Sequence, residues 1–375
     1  MATTVGILGG GQLARMMAIA GAPLGLRFRV VDTVADACAA QVAPLICADY
    51  NDFEAMSRFA DGIDVVTFDF ENVPADAAMY LASRVPVFPN PHSLSVAQDR
   101  LEEKQLFRRL GMSTPAFAVV DSREELDDAV ARVGLPAILK TRRLGYDGKG
   151  QVRLKSLDDK DAAWAKLGGV PLILESLVAF EREISVIGVR GRSGEFKTYP
   201  LSQNFHENSI LSASLSPAPN AEAFAETAIE DARRLAEVLD YVGVFALELF
   251  VHEGRLLANE MAPRVHNSGH WTIEGAVTSQ FENHLRAVLG LPLGSTAARE
   301  TSVLLNWIDS VPDALAVLRE PLGHWHDYGK TPRPGRKVGH ATFNGPTAEV
   351  AEALSRVSIA LGRATQIDPV LNALR

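Results

Sequence analysis

Two glutamates lie in apolar stretches that read as neighbouring strands. Glu248 stands in "FALELFV" and Glu260 in "LLANEMAPR", with an "HEG" turn between them. A carboxylate among buried aliphatic residues is costly unless it is paired or binds a cation. A hairpin would bring both carboxylates to one site, where Asn259 and nucleotide phosphates could complete the oxygen shell of Mg²⁺. The alternative is a salt bridge from one glutamate to Arg264, with the other exposed.

A glycine-rich loop, "LKTRRLGYDGKGQVRL", spans residues 139–154 between two predicted strands. Its glycines free the backbone to fold N–H groups around phosphate oxygens, and Lys140 and Lys149 supply positive charge. It is not a Walker loop, because that loop opens a helix after its GK[ST] motif. An ordinary hairpin with a basic tip is the alternative interpretation.

Three other segments carry polar groups suited to a ligand. In "LILESLVAFEREISV", a strand ends at Glu175, where its backbone could hydrogen-bond to adenine while Glu183 accepts from ribose hydroxyls. A hinge between two subdomains could have the same sequence pattern. The loop "APRVHNSGHW" offers Arg264 for a phosphate or carboxylate and His266 to orient a substrate or shuttle a proton. A capped turn is the alternative for this loop. The turn "YGKTPRPGRKVGH" contains four basic residues, Lys330, Arg333, Arg336 and Lys337. It is either an anion-binding site or a solvated basic loop.

The opening stretch "VGILGGGQLARMM" favours a dinucleotide site. Gly9, Gly11 and Ala14 match the G-x-G-x-x-G/A spacing, and Asp32 closes the next apolar run where a ribose-binding acid would stand. From these residues alone a nicotinamide oxidoreductase is a fair hypothesis.

The elements that must position these residues follow three patterns. Residues 5–90 alternate short apolar runs with helical patterns, which predicts a parallel sheet with ligands at the carboxyl ends of its strands. After the Pro-rich "FPNPHSL", a single helix is predicted over "SVAQDRLEEKQLFRRLG", with a mostly solvated charged face from which Arg100 and Lys104 could reach one phosphate. A compact α+β unit, longer antiparallel strands and a small β-rich C-terminal cap follow. The predicted boundaries are 1–98, 99–180, 181–298 and 299–375.

Composition narrows the class of protein. The chain has 375 residues, which suggests two or three domains, and a net charge of −9, which disfavours nucleic-acid binding. With only two cysteines it can build neither a disulfide framework nor a Cys-based zinc site. The sequence shows neither a signal peptide nor a membrane span, so we expect a soluble cytoplasmic protein.

Over essentially its whole length the chain resembles the ATP-grasp enzymes, and among them the N5-carboxyaminoimidazole ribonucleotide synthetases. The matching motifs are "GILGGGQLARM", "FDFENVP", "QDRLEEK", "LKTRRLGYDGKGQ", "FEREISV", "PLSQNFHENSIL", "LELF", "NEMAPRVHNSGHW" and "RPGRKVGH". The resemblance implies an ATP-grasp fold, α/β and α+β, with a Rossmann-like N-terminal domain and a β-rich C-terminal cap. It also implies carboxylation of aminoimidazole ribonucleotide with bicarbonate and ATP through carboxyphosphate, in purine biosynthesis, by a homodimer.

The resemblance carries roles to individual positions. It implies that Glu248 and Glu260 hold Mg²⁺, and that Tyr146 and Asp147 lie over bicarbonate, with Lys140 and either His266 or Asp147 taking part in the chemistry. The implied ATP contacts are Arg100, Lys140, Gly145, Tyr146, Asp147, Gly148, Lys149, Gly150, Gln151, Glu175, Ser176, Leu177, Val178, Glu183, His206, Asn259 and Glu260. The implied ribonucleotide contacts are Gln12, Leu13, Glu71, Arg264, His266, Asn267, Ser268, Lys330 and Arg336.

The resemblance changes the interpretation of the opening loop, which is then expected to approach a ribonucleotide and not a dinucleotide. Three alternatives remain open at this point. One is an ATP-grasp ligase for another substrate, such as a ribonucleotide formylating enzyme. The others are the nicotinamide oxidoreductase and a regulator that binds ATP without turning it over.

Overall fold

The N-terminal region forms a parallel sheet, as its sequence predicts. The structure is a computed structural model that describes residues 3–145 and 149–375. The elements are β1 (Thr4–Leu8), α1 (Gln12–Gly21), β2 (Arg27–Asp32), β3 (Leu45–Cys47), α2 (Phe53–Ala60), β4 (Val65–Phe68) and α3 (Ala75–Ala82). The strand order is β3-β2-β1-β4, with all pairs parallel. The predicted strand in "VPVFPNP" makes only an isolated bridge, between Val66 and Val87.

The prediction of one helix after the Pro-rich segment is wrong. Two helices follow, α4 (Pro91–Gln98) and α5 (Arg100–Arg109), because Asp99 between them has extended backbone, with φ −118° and ψ 108°. Its carboxylate accepts from the backbone N–H of Leu101 and from the guanidinium groups of Arg142 and Arg143. The break therefore attaches the start of α5 to the segment that precedes the glycine-rich loop.

The second unit is a four-stranded antiparallel sheet flanked by two helices. Its elements are β5 (Phe117–Val120), α6 (Arg123–Val133), β6 (Ala137–Thr141), β7 (Gln151–Leu154), α7 (Asp159–Leu167) and β8 (Leu172–Ser176), with the strand order β5-β8-β6-β7. The glycine-rich loop joins β6 to β7, as predicted. Tyr146, Asp147 and Gly148 of this loop lie outside the described residues.

A large antiparallel sheet makes up most of the remaining chain. Its first part contains β9 (Arg182–Arg190), β10 (Phe196–Thr198), β11 (Ser202–Glu207), β12 (Ile210–Ser216), α8 (Glu222–Val238), β13 (Gly243–His252), β14 (Arg255–Ala262), α9 (Thr272–Gly275) and α10 (Gln280–Leu289). Helix α10 packs on α1, where Phe281 and Leu285 share a buried core with Leu13 and Met17. This contact fixes the first sheet against the large one.

The C-terminal strands extend the same sheet. They are β15 (Thr301–Ile308), β16 (Gly323–Asp327) and β17 (Lys337–Gly345), accompanied by α11 (Leu315–Leu318), α12 (Thr347–Leu361) and α13 (Ala364–Ala373). Because β15 pairs with β12, the strand order is β14-β13-β9-β11-β12-β15-β17-β16, with β10 attached to β9. Among the helices described, none is both long and apolar enough to cross a membrane.

Candidate functional site

A cavity of about 1000 Å³ opens where the three sheets meet. Its wall is formed by the loops at the ends of β1 and β4, by the sheet that carries the glycine-rich loop, by the β13–β14 hairpin and by the turn before β17. The sequence-predicted residues in this wall are Gln12, Leu13, Glu71, Arg100, Lys140, Gly145, Lys149, Gln151, Glu175, Ser176, Leu177, Val178, Glu183, His206, Glu248, Asn259, Glu260, Arg264, His266, Asn267, Lys330, Arg333, Arg336 and Lys337.

Two described residues with predicted contacts do not line this cavity. Gly150 lies behind it in the loop, where a Cβ would approach the Thr141 hydroxyl at 2.6 Å. Ser268 is fully buried, and its hydroxyl lies 2.8 Å from Nδ1 of His266. The structure thus places Ser268 behind the histidine ring. The predictions for Tyr146, Asp147 and Gly148 fall outside the described part of the chain.

The β13–β14 hairpin brings the two glutamates of the sequence analysis together. Glu248 and Glu260 are cross-strand partners beside a register shift that follows Glu248. Nη1 of Arg100 donates to Oε2 of Glu260 at 2.9 Å, and Nε2 of His266 lies 3.3 Å from Oε1 of Glu248. The salt bridge from Arg264 to one of these glutamates is not formed, because Arg264 donates to Glu71 of the first sheet, at 2.5 Å.

Three carboxylates in this part of the cavity repel one another. Burial raises the pKa of Glu183 to about 8, with Glu260 adding to the rise, although Asn204 donates to its Oε1 at 3.0 Å. Burial, Glu183 and Glu260 together hold the pKa of Glu248 well above its usual range. The Glu260 side chain is more open, at 43% exposed, and its pKa is lowered because Arg100 and two lysines outweigh its partial desolvation.

This carboxylate cluster fits a divalent cation that also binds phosphate. Within the described residues, no group of three or more His, Cys, Asp or Glu side chains is arranged to hold a metal alone. Mg²⁺ is usually held by one or two carboxylates together with substrate phosphates and water, so a pair such as Glu248 and Glu260 suffices. A bound cation would also remove the repulsion that raises the pKa of Glu248.

Positive charge faces these carboxylates from the neighbouring sheet. Nζ of Lys140 donates to Oε2 of Glu175 at 3.1 Å. Burial alone would raise the pKa of Glu175, yet Lys104 and Lys140 lower it to about 2. Oε1 of Glu175 is buried and has no hydrogen-bond partner among the described residues, so it is able to accept from a ligand.

Helix α5 corrects one sequence-based expectation. Glu102, Gln105, Arg108 and Arg109 are exposed, as expected of a solvated face, but Glu103 is 2% and Lys104 is 1% exposed. Nζ of Lys104 donates to the backbone oxygen of Asn259 at 2.6 Å, and the Glu103 carboxylate accepts from the N–H of Met261. Arg100 lines the cavity and Lys104 does not, so the two do not reach one phosphate together.

The loop after β14 forms the other end of the cavity. Gln280 accepts from the N–H of His266 and donates to its backbone oxygen, which fixes the histidine backbone. The N–H of Ser268 donates to Nδ1 of the ring at 3.3 Å, so in the neutral ring Nε2 carries the proton. Burial, with Arg264 and Lys337 nearby, keeps the pKa of His266 well below its usual range.

Two further contacts attach this end of the cavity to other parts of the molecule. The side-chain amides of Asn267 and Asn306 donate to each other, at 3.0 and 2.6 Å. Lys330, in the turn before β17, donates to the side-chain oxygen of Gln12 at the start of α1. Sequence reasoning missed Asp69 and Phe250 in the cavity wall, and Asp69 could have been found as the acid that ends the fourth parallel strand.

The glycine-rich opening loop has no open site for a dinucleotide pyrophosphate. The carboxylate of Asp69 accepts from the N–H groups of Gly11 and Ala14, at 2.7 and 2.8 Å. Asp32, the predicted ribose-binding acid, accepts from the N–H of Gly10 at 2.6 Å. Anions bind the start of such a helix through these N–H groups. The chain's own carboxylates therefore occupy the position that a dinucleotide needs.

Comparison with known proteins decides the family. Residues 1–98 match the ribonucleotide synthetase preATP-grasp domain, residues 105–281 the ATP-grasp domain and residues 302–354 the phosphoribosylaminoimidazole carboxylase C-terminal domain. The N5-carboxyaminoimidazole ribonucleotide synthase of Pseudomonas aeruginosa is 53% identical over 339 residues, which cover 90% of this chain and 94% of that relative. The chain belongs to the N5-carboxyaminoimidazole ribonucleotide synthases, a family of ATP-grasp ligases.

Solved structures of this synthase family share the whole fold. The crystal structure of N5-carboxyaminoimidazole ribonucleotide synthetase from Thermus thermophilus superposes with a TM-score of 0.92 at 53% identity, covering 96% of this chain and 99% of that one. The N5-carboxyaminoimidazole synthase of Aspergillus clavatus, in complex with ADP and 5-aminoimidazole ribonucleotide, gives a TM-score of 0.89 at 32% identity over 96% of this chain and 99% of that one. The predicted ATP-grasp fold is thereby confirmed.

Proposed function

We propose that this synthase joins bicarbonate to the exocyclic amine of 5-aminoimidazole ribonucleotide at the expense of ATP, in purine biosynthesis. The products are N5-carboxyaminoimidazole ribonucleotide, ADP and phosphate. The observation that carries the proposal is the single cavity in which Arg100, Lys140 and the two glutamates face Arg264, His266 and Lys330. A nucleotide at one end and a ribonucleotide at the other would share one reaction space.

The ATP end is assigned from charge and burial. We infer that Arg100 and Lys140 bind phosphate oxygens, because both cations line the cavity beside the glycine-rich loop. Glu175 to Val178 lie where β8 leaves the sheet, so their backbone and the unpartnered Oε1 of Glu175 suit the adenine. Glu183 and His206, whose side chains lie 3.6 Å apart, suit the ribose hydroxyls.

Mg²⁺ belongs to the same proposal. Glu248 and Glu260 would hold it, and when bound it would neutralise charge on the transferring phosphate and orient it. Arg100 keeps Glu260 ionised whether or not the cation is present, because it donates to that carboxylate at 2.9 Å. Glu248 then needs the cation in order to lose its proton near neutral pH.

The ribonucleotide end follows from a second set of cations. We infer that Lys330 and Arg336 bind its 5′-phosphate, with Gln12 and Leu13 at the start of α1 beside them. Arg264, held by Glu71, and His266, with its proton on Nε2, would orient the aminoimidazole. Asn267 completes this wall.

The proposed chemistry proceeds in two stages. A bicarbonate oxygen attacks the γ-phosphorus, the bond to the β-phosphate oxygen breaks, and ADP leaves with that electron pair. The resulting carboxyphosphate splits into CO₂ and phosphate, and the amine nitrogen attacks CO₂ while losing a proton. Lys140 and Arg100 offset the charge on the transferring group. Tyr146 and Asp147 stay predictions for the bicarbonate and the proton.

ADP release tests the proposal. ATP, Mg²⁺ and bicarbonate would be supplied with and without aminoimidazole ribonucleotide, and ADP and the carbamate product measured. Strong stimulation by the ribonucleotide that also requires bicarbonate would support the proposed function. A folded sample that binds ATP without stimulation would overturn the substrate assignment, and formate-dependent turnover would assign a formylating ligase instead.

We also propose that the chain forms a homodimer in the cytoplasm, as the family resemblance implies. Sedimentation velocity across a range of protein concentrations tests the assembly. A single species of monomer mass at all concentrations would overturn it.

A further inference from the structure

Two lysines share one buried carboxylate oxygen at the ATP end of the cavity. Nζ of Lys140 lies 3.1 Å and Nζ of Lys104 lies 3.4 Å from Oε2 of Glu175. Glu175 is 2% exposed, so its charge depends on these partners and not on water. Two positive charges therefore lie beside one negative charge, although one cation is enough to neutralise the carboxylate.

The two lysines are held in different ways. Lys104 is 1% exposed and extends from α5, where it also donates to the backbone oxygens of Asn259 and Ala258, at 2.6 and 3.5 Å. Lys140 extends from β6 and lines the cavity. One ammonium group is therefore enclosed by the β14 backbone, while the other faces the space proposed for the phosphates.

Transfer of Lys140 from Glu175 to a phosphate poses an electrostatic problem. A buried carboxylate that loses its only cation is strongly destabilised. Lys104 removes this cost, since it remains beside the same oxygen when Lys140 moves. Arg100 is also near enough to stabilise the charge of Glu175, but its guanidinium donates to Glu260, and the salt bridges of Glu175 are those with Lys104 and Lys140.

We propose that Lys104 is a positioning residue that keeps Glu175 paired, so that Lys140 is available to the phosphates of ATP. The inference rests on the proposed ATP site. It assigns Lys104 a function through Glu175 and Lys140, without contact to the nucleotide. It also explains why a fully buried lysine occurs on α5 beside the segment Ala258–Asn259.

Nucleotide affinity in a neutral variant tests the proposal. Lys104→Gln keeps a donor for the Asn259 carbonyl and removes the charge, so Lys140 becomes the only cation in salt-bridge contact with Glu175. We expect the dissociation constant for Mg²⁺ and a non-hydrolysable ATP analogue, measured by calorimetry, to rise about tenfold or more. The dissociation constant for aminoimidazole ribonucleotide should change by less than about twofold.

The double variant Lys104→Gln/Glu175→Gln separates positioning from packing. Without the carboxylate, Lys140 is no longer retained, so the double variant should bind the analogue about fivefold more tightly than Lys104→Gln does. A packing role predicts the opposite, because a second change in the same cluster adds damage. No rescue, or normal binding by Lys104→Gln, overturns the inference.

Two further comparisons separate failure of this inference from misfolding of a variant and from failure of the proposed ATP site. If Lys104→Gln does not fold, Glu175→Gln is compared with the double variant: binding equal within about threefold supports the inference, and a larger loss overturns it. If the unaltered protein does not bind the ATP analogue, the proposed ATP site fails, irrespective of Lys104.

Discussion

At the scale of single residues, Glu260 has the most demanding position in the cavity. It is the cross-strand partner of Glu248 and accepts a hydrogen bond from Arg100. Arg100 and two lysines lower its pKa despite partial desolvation, so it is ionised across the neutral range. Glu248 is easily protonated, whereas Glu260 stays charged, so Glu260 is suited to be a permanent ligand of a cation.

We expect Glu260→Gln to reduce ADP formation by about a hundredfold or more, because it removes a charged ligand of Mg²⁺ and the partner of Arg100. ADP release with saturating bicarbonate and ribonucleotide is the measurement. Glu253→Gln makes the same chemical change at the exposed tip of the same hairpin and should retain full activity. Retention of ADP formation by Glu260→Gln would remove its assignment as metal ligand.

We expect His266→Ala to impair use of the ribonucleotide. His266 lies in the loop that forms the proposed ribonucleotide end of the cavity, with Nε2 3.3 Å from Oε1 of Glu248, and its loss should lower carbamate formation by about a hundredfold. ADP release with bicarbonate alone, measured in parallel, should stay within about threefold of the unaltered protein. Equal losses in both reactions would place His266 at the ATP end instead.

Much of the site can be predicted from the types of residue in the sequence. The glutamates in apolar strands, the clustered glycines and the basic turn each predict part of the site from sequence. A carboxylate in apolar sequence is costly unless it is paired or binds a cation, and clustered glycines cost conformational entropy unless the backbone must adopt an unusual conformation. Lys104 and Asp69 are different. Asp69 can be recognised as an acid directly after the fourth parallel strand, but its partners, the N–H groups of Gly11 and Ala14, are backbone atoms distant in sequence. The Asn259 carbonyl that Lys104 contacts is equally distant, so no local pattern shows either pairing.

At the scale of elements, the loop 264–271 is positioned by the C-terminal strands. Asn306 of β15 is fully buried, and its amide exchanges two hydrogen bonds with Asn267. Its amide group also donates to the backbone oxygen of Leu211 in β12. The strand that joins the C-terminal region to the large sheet therefore also fixes the proposed ribonucleotide wall.

We expect Asn306→Leu to raise the KM for the ribonucleotide about tenfold while the KM for ATP changes by less than about twofold. Three neutral hydrogen bonds are lost, two with Asn267 and one to the Leu211 carbonyl, and the buried amide of Asn267 is left without its partner. Asn344→Leu is the matched control, because it removes an amide from the adjacent strand that bonds to Thr301 and Ser302. Equal effects of both variants on the ribonucleotide KM would contradict positioning by Asn306.

The helix before the second sheet shows where sequence patterns fail. The run "SVAQDRLEEKQLFRRLG" is compatible with one helix, but Asp99 breaks it by capping α5 at the N–H of Leu101 and by bonding to Arg142 and Arg143. The two arginines are far from Asp99 in the chain, so no local pattern shows their contribution. The strands predicted on either side of the glycine-rich loop and the strand predicted to end at Glu175 are correct, as β6, β7 and β8, because their apolar runs are bounded by turns, which are local features.

At the scale of the whole molecule, the sequence predicts where strands occur better than it predicts how they pair into sheets. It predicts the C-terminal strands, but their membership of the large sheet depends on the pairing of β12 with β15, across an intervening segment of about 85 residues. The same assembly encloses histidines from several elements. His270, His284 and His340 are fully buried and His266 is partly buried in the cavity wall, and desolvation lowers the pKa of each.

These histidines predict sensitivity to acid, which is best tested at His284, away from the cavity. Its ring lies 2.7 Å from the Thr67 hydroxyl and accepts from the N–H of Val244, and burial lowers its pKa from 6.5 to about 4. Below pH 6.5 the unfolded chain binds a proton that the folded chain does not bind until about pH 4. The free energy of unfolding therefore falls as pH decreases through this window, by about 2 kcal/mol from this histidine between pH 7 and pH 5.

Urea unfolding at pH 7 and pH 5 measures this contribution. His284→Gln does not titrate there, and its amide is able to bond to both Thr67 and Val244. It should lose about 2 kcal/mol less stability between the two pH values than the unaltered protein does. His92→Gln, at an exposed position of α4, should lose as much as the unaltered protein. An identical loss in all three proteins would show that His284 does not contribute to the acid sensitivity.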